Sequence, residues 1–189
     1  MKLSILVPTL EQRVRFMERL MGILQPQLTP EVEVVAEKDS GEAHIGTKRN
    51  RLLARAAGDY VCFVDDDDRV SSDYVPRILE AVRADPDCVG IEGIYTCERI
   101  PKKFFCSLKY RDWFEKDNQY FRSPNHLNPV RRTIALEAGF PEISWGEDVA
   151  FSKKILPHLK TEVYLGNPVY FYDYNPANFR SLQARHMPR

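Results

Sequence analysis

The sequence predicts an α/β protein: a single domain built on a mostly parallel sheet with helices on both faces. Three observations predict it. Short apolar, β-branched runs alternate with stretches of helical spacing over residues 1–96, the order that lays helices across parallel strands. The third run, 60–64, stops in four consecutive carboxylates, Asp65, Asp66, Asp67 and Asp68. Finally, 189 residues of which 43% are hydrophobic suffice for one core, and no repeat, low-complexity tract or linker divides them.

Residues 2–7 (KLSILV) read as a strand closed by Pro8 and Thr9, and 12–24 carries helical spacing at Val14, Met17, Leu20, Met21 and Leu24. The second unit pairs a strand over 31–36 (EVEVVA) with a helix over 45–57, which Gly58 is expected to stop as the residue just past its end. The strand over 60–64 carries the acidic run at its tip. A helix over 74–84 ends at Asp85-Pro86, and 88–96 (CVGIEGIYT) is the fourth strand. Beyond Cys97 the pattern changes. Residues 99–122 interleave bases and aromatics with no clean period, which suits a partly open flap or a pair of antiparallel strands over the sheet's end. After the turn-rich 125–129 come a short helix over 132–138 stopped by Gly139, a helix over 149–156 with Glu147 and Asp148 at its first turn, and strands over 162–165 and 169–174. The tail from Asn175 is polar and basic.

Basic and acidic residues balance at 27 each, so no global field recruits nucleic acid or an anionic membrane. The four cysteines, Cys62, Cys88, Cys97 and Cys106, lack metal-type spacing and are expected to be reduced residues of a cytoplasmic protein. No segment reads as a signal peptide or a membrane span.

The acidic run is the richest signal. Four adjacent like charges repel, and packing them inside costs heavily, so they are expected where the strand leaves the sheet, in water or around a cation. In an open α/β sheet that is also the ligand-binding crevice. Oxygen ligands point to a hard divalent ion with phosphate oxygens on its far side. The plainer alternative is a solvated acidic turn ahead of the helix that follows Asp73.

Taken in order, SILVPT, a second strand leading to Asp39, G-T-K-R-N with A-x-G-D-Y, F-V-D-D-D-D and W-G-E-D-V-A-F resemble the family 2 glycosyltransferases of the GT-A (Rossmann-like) fold, over roughly residues 1–156. The resemblance implies a nucleotide-sugar-binding part over 1–96 and an acceptor-side part with a flap over 97–189. It implies a nucleotide-sugar donor, of UDP type, and Mn2+ or Mg2+ as cofactor. It assigns Pro8 and Thr9 to the nucleotide base, Asp39 to the uracil or its ribose, and Arg49 and Asn50 to the pyrophosphate side, while Lys48 reads better as part of a solvated helix face. Asp65 goes to the ribose with Asp66 beside it, Asp67 to the metal, and Asp68 to either in a shifted register. A histidine often completes such a metal shell, for which His126 and His186 are the candidates. Glu147 and Asp148 match the acceptor-side acid pair, with Asp148 as the general base of an inverting displacement, and Trp145 stacks on the sugar or acceptor ring or else packs in the core.

Two other classes compete. A nucleotidyltransferase would use a similar sheet and metal-bound acids, but it calls for a glycine-rich basic loop where this chain has Pro8-Thr9-Leu10-Glu11. A non-catalytic nucleic-acid-binding module would explain the rings and cations of 99–122 and leave the acidic tip unexplained. A hybrid is a glycosyltransferase whose acceptor is a modified base in DNA; a glycan or a small molecule is the other acceptor class.

Overall fold

The computed structural model describes residues 1–174; His186 and the basic tail lie outside the described residues. The chain opens on β1 (Leu3–Leu10), whose first seven residues are all buried, as suits a central strand of a parallel sheet. A single 3-10 turn (Glu11–Arg13) leads into α1 (Val14–Leu24), which turns Leu20 and Leu24 inward. There follow β2 (Val32–Asp39), α2 (Ile45–Arg55), β3 (Tyr60–Phe63), the two-residue β4 (Arg69–Val70), α3 (Tyr74–Val82) and β5 (Cys88–Cys97). The second half supplies β6 (Ile100–Cys106), β7 (Phe114–Lys116), β8 (Gln119–Arg122), β9 (Val130–Arg131), α4 (Arg132–Ala138), α5 (Glu147–Ile155) and β10 (Glu162–Tyr174).

The strands join one sheet in the order β2-β1-β3-β9-β5-β6-β8-β7, with β10 beside β5 and β4. β1 is parallel to both β2 and β3, and β5 is parallel to β10. Alternation along β1 sorts the core into two layers. Leu3, Ile5 and Val7 face α1 and α3, whereas Leu6, with Val61 and Phe63 of β3, faces α2, α4 and α5. Helices therefore cover both faces, as the strand–helix alternation predicts. Cys62, Cys88 and Cys106 are buried, Cys97 is half-buried, and none is in a disulfide.

Three local readings are corrected. Gly58 does not end α2 in a left-handed cap: the helix closes at Ala56 in extended backbone, and Gly58 is needed because a Cβ there would come within 2.6 Å of the Ser4 nitrogen. The two strands expected over 162–174 are one, broken in register between Tyr164 and Tyr170, where Asn167 takes a positive φ of 70°. For the stretch 99–122 the antiparallel-strand alternative holds and the open flap does not, because its strands are built into the sheet. β5 and β6 form a hairpin through Glu98 and Arg99, both at positive φ, and β7 and β8 do so through Asp117 and Asn118, again at positive φ. Two consecutive left-handed residues give the loop twist that two-residue hairpins favour. Its rings have no helical or strand period because they pack on one another: Phe121 stacks on Phe105 and Phe114, with Tyr110 set edge-on.

Candidate functional site

The C-terminal ends of β1 and β3, the start of α2 and the start of α5 enclose a cleft of about 420 Å³, within the usual size of a small-ligand site. At one end Pro8 and Thr9 line it together with Gly41 and Ala43. The loop after β2 is shaped by Asp39, whose carboxylate accepts the N–H groups of Gly41 (3.1 Å) and Ala43 (3.2 Å). Asp39 therefore stands behind the wall it holds. Lys48 joins it: its ammonium donates to Asp39 (2.7 Å) and to the Thr9 carbonyl, and the side chain is 3% exposed, so the solvated-face reading fails. Burial would raise the Asp39 pKa, but Lys48 and the two backbone donors outweigh it and hold the carboxylate below its ordinary value.

Beyond Thr9 lies the acidic run, bent into a turn by the Asp68 N–H on the Asp65 carbonyl (3.0 Å). The expectation of four solvated or metal-bound carboxylates is only half met. Asp66 and Asp68 are buried, and Asp65 and Asp67 have side chains 29% and 25% exposed. Cations and hydroxyls make that burial possible. Arg13 bridges Asp66 (2.6 Å) and Asp67 (2.9 Å), Thr9 donates to Asp66 (2.5 Å), and Arg49 pairs with Asp65 (3.1 Å). The Tyr170 hydroxyl donates to Asp68 (2.6 Å) and receives the Asp65 N–H (3.2 Å). The four acids consequently differ. Burial pushes Asp66 up to about 6 against the pull of Arg13, and burial with its acidic neighbours pushes Asp68 well up. Burial also acts on Asp65, but the Arg49 guanidinium outweighs it and holds that carboxyl below its ordinary value.

Arg49 links this wall to the next. Its guanidinium lies against Phe63 (5.0 Å) and Phe140 (5.7 Å), and its Nε is 3.6 Å from Glu147. Asn50, its neighbour, is spent on structure: its amide donates to the Phe140 carbonyl (2.9 Å) and accepts the Phe140 N–H (2.8 Å), outside the cleft lining. α5 begins at Glu147, two residues earlier than its periodicity predicts, after Gly146 at φ 76°. Glu147 is buried, and desolvation raises it to about 7 although Arg49 opposes the shift. Asp148, half-buried, accepts the Val149 N–H (2.8 Å) and lines the cleft beside Trp145, which is 47% exposed and not a core residue. The loop carrying them sits against α2 at Gly46, whose N–H donates to the Ile143 carbonyl (3.1 Å).

His126 is buried under the run, its Nε2 3.8 Å from Asp65 and neither ring nitrogen hydrogen-bonded. Burial and Arg49 lower its pKa against the pull of Asp65, so the ring is held neutral with a lone pair available. Asp68 Oδ1 is likewise buried without a hydrogen bond. No group of three or more His, Cys, Asp or Glu among the described residues forms a closed metal site. A hard cation that keeps its waters needs only one or two carboxylates, and Asp67 and Asp68 both line the cleft where they could offer them.

Sequence reasoning missed Arg13 and Tyr170 altogether. Neither has a local signal, since each meets the run across more than fifty residues of chain.

Comparison with known proteins bears on the family and the fold. The family model described as glycosyl transferase family 2 matches residues 29–134. No curated protein matches. Among solved structures, that of Staphylococcus aureus TarS 1-349 in complex with UDP superposes with a TM-score of 0.71 at 21% identity, covering 96% of this chain and 63% of that one. S. aureus TarS itself gives a TM-score of 0.72 at 19% identity, over 96% of this chain and 38% of that one. A mannosyltransferase from Pyrobaculum calidifontis, PcManGT, solved with GDP-Man and Mn2+, gives 0.60 at 15% identity, over 98% and 61%. The chain thus spans less than two thirds of the length of these structures, and they share its fold. No helix among the described residues is long and apolar enough to cross a membrane.

Proposed function

The chain belongs to glycosyl transferase family 2, and on that premise we propose that its cleft takes a nucleotide-sugar of UDP type and passes the sugar to an acceptor hydroxyl with inversion. One observation carries the reading: the strand-tip acids Asp65–Asp68 and the helix-tip acids Glu147 and Asp148 line the same cleft from different elements. That is the arrangement a single displacement needs, with leaving group and base on opposite faces of the anomeric carbon. The bound UDP and UDP-GlcNAc of the TarS structures support a uridine donor.

In this mechanism Pro8, Thr9, Gly41 and Ala43 seat the nucleotide base, with Asp39 and Lys48 fixing the wall behind them. Asp65 accepts from the ribose, and Arg13 and Arg49 offset the charge that the run and the diphosphate bring together. Asp67 would hold a divalent cation, with Asp68 and His126 of the same cleft lining as the further candidate ligands, and when bound the ion would neutralise the departing diphosphate. Trp145 packs on the sugar face. Asp148 takes the proton of the attacking hydroxyl, oriented by its place at the α5 N-terminus, while buried Glu147 holds Arg49.

A panel of nucleotide-sugars, assayed for hydrolysis and binding with manganese and with chelator, tests the proposal. One donor should be preferred and its turnover should fall with chelator. Equal indifference to every nucleotide would overturn it.

A further inference from the structure

The basic, aromatic stretch 99–122 takes no part in that mechanism, and one of its cations stands apart. Lys102 donates to Glu115 (2.7 Å) and Lys103 lies 4.0 Å from Glu92. Arg122 has no side-chain hydrogen bond or ion pair among the described residues; instead its guanidinium lies over Trp113 (4.8 Å), Phe104 (5.7 Å) and Tyr120 (5.8 Å). Rings hold a guanidinium in place without using its N–H fork, which stays available for a planar or tetrahedral oxyanion. Close by, the Trp113 Nε1 is buried with no partner, a second unused donor. Arg122, Trp113 and Phe104 all line the cleft.

Topology says which end. Along the sheet the order runs from β2 and β1, which hold the nucleotide wall, through β3 with its acids, to β6 and β8, which carry Phe104 and Arg122. Phe104 also packs edge-on against Tyr170 (6.3 Å), the residue that donates to Asp68. Arg122 therefore stands one ring beyond the acidic run, on the side away from Thr9. In the proposed mechanism the donor diphosphate lies between the nucleotide wall and the run, which leaves the part of the cleft beyond Phe104 to another group.

We propose that Arg122, with Trp113 and Phe104, forms an oxyanion subsite at the acceptor end of the cleft, which takes a phosphate or carboxylate carried by the acceptor beside the hydroxyl that receives the sugar. The assignment rests on the glycosyl-transfer reading. It makes anionic acceptors the substrate class and uses the stretch for recognition of a small oxyanion.

Calorimetry on the full chain with the nucleotide site filled by UDP tests this. Glycerol 3-phosphate should bind UDP-saturated protein and neutral glycerol should not. Arg122→Gln should weaken glycerol 3-phosphate by about tenfold or more, the scale of a charge-assisted contact, and Arg122→Lys should restore part of it. UDP affinity should stay within about twofold in both variants, which also reports that they fold. An Arg122→Gln loss in UDP affinity as large as that for glycerol 3-phosphate would place the arginine on the donor diphosphate and overturn the proposal. So would glycerol binding as well as its phosphate, or Arg122→Gln weakening UDP-glucuronic acid but neither UDP-glucose nor glycerol 3-phosphate, which would move the anion to the donor sugar. Failure of the wild type to bind UDP at all would instead count against the glycosyl-transfer reading itself.

Discussion

Arg49 meets Asp65 on one side and Glu147 on the other, so a single buried guanidinium ties the strand-tip acids to the helix-tip acids. Around it the roles separate residue by residue. Asp148→Asn keeps size and the bond to Val149 but removes basicity; turnover should drop by roughly a hundredfold or more while UDP affinity holds, measured by steady-state kinetics and calorimetry. Lys48→Met should act on stability. It leaves the half-buried Asp39 without its counter-ion, and urea denaturation should show a loss of about 1–3 kcal/mol. Much of this was legible in the sequence. Thr9, Asp65, Asp67, Glu147 and Asp148 were placed because each sits at a strand or helix tip, and tips are visible as breaks in periodicity. Lys48 and Asn50 were misjudged for one reason: they occupy the same helix turn, and only the packing of Asp39 and Phe140 decides which side chain is buried in the site wall and which braces a loop.

At the scale of elements, boundaries followed the apolar pattern where a strand is central and failed where neighbours decide. β5 ran close to its expected span, whereas β1 continues through Pro8 and Thr9, which were expected to close it, and stays paired with β2 as far as Leu10. Over 99–122 the expected antiparallel pair is β7–β8, turned at Asp117-Asn118, while the β5–β6 hairpin has no such signal at Glu98-Arg99 and the rings serve a cluster without period. Hydrogen exchange should show the change of view. Amides of β6 paired with β5 should be protected like those of β5 itself, and those of the edge strand β7 should exchange fast. Fast exchange throughout 100–122 would instead support a loose flap. Gly46 gives a second test at this scale. A Cβ there would meet the Pro141 carbonyl oxygen at 1.8 Å, so Gly46→Ala should push α2 from the loop bearing Trp145, cost about 1–3 kcal/mol on denaturation, and weaken turnover as well.

Across the whole molecule, the junction of β5, β9 and β10 depends on one carboxylate. Asp87 accepts the N–H groups of Lys160 (2.8 Å) and Thr161 (3.0 Å) and pairs with Arg131 (3.3 Å). Burial would raise its pKa, but the two backbone donors outweigh it and hold the carboxyl below its ordinary value. The folded state thus binds fewer protons than the unfolded chain, so this stabilisation is present above the unfolded pKa and is lost as pH falls through the folded one. Asp87→Asn should lower stability at neutral pH and flatten its fall below about pH 4. The claim on which the account turns is larger: one cleft, with nucleotide at the β1–β2 end, diphosphate at the acidic run and acceptor by Asp148. A crystal structure with UDP and manganese tests it most directly. Uracil is expected against Pro8, Thr9, Gly41 and Ala43, with the diphosphate at Asp67; uracil beside Arg122 and Trp113, or UDP outside the cleft, would contradict this arrangement.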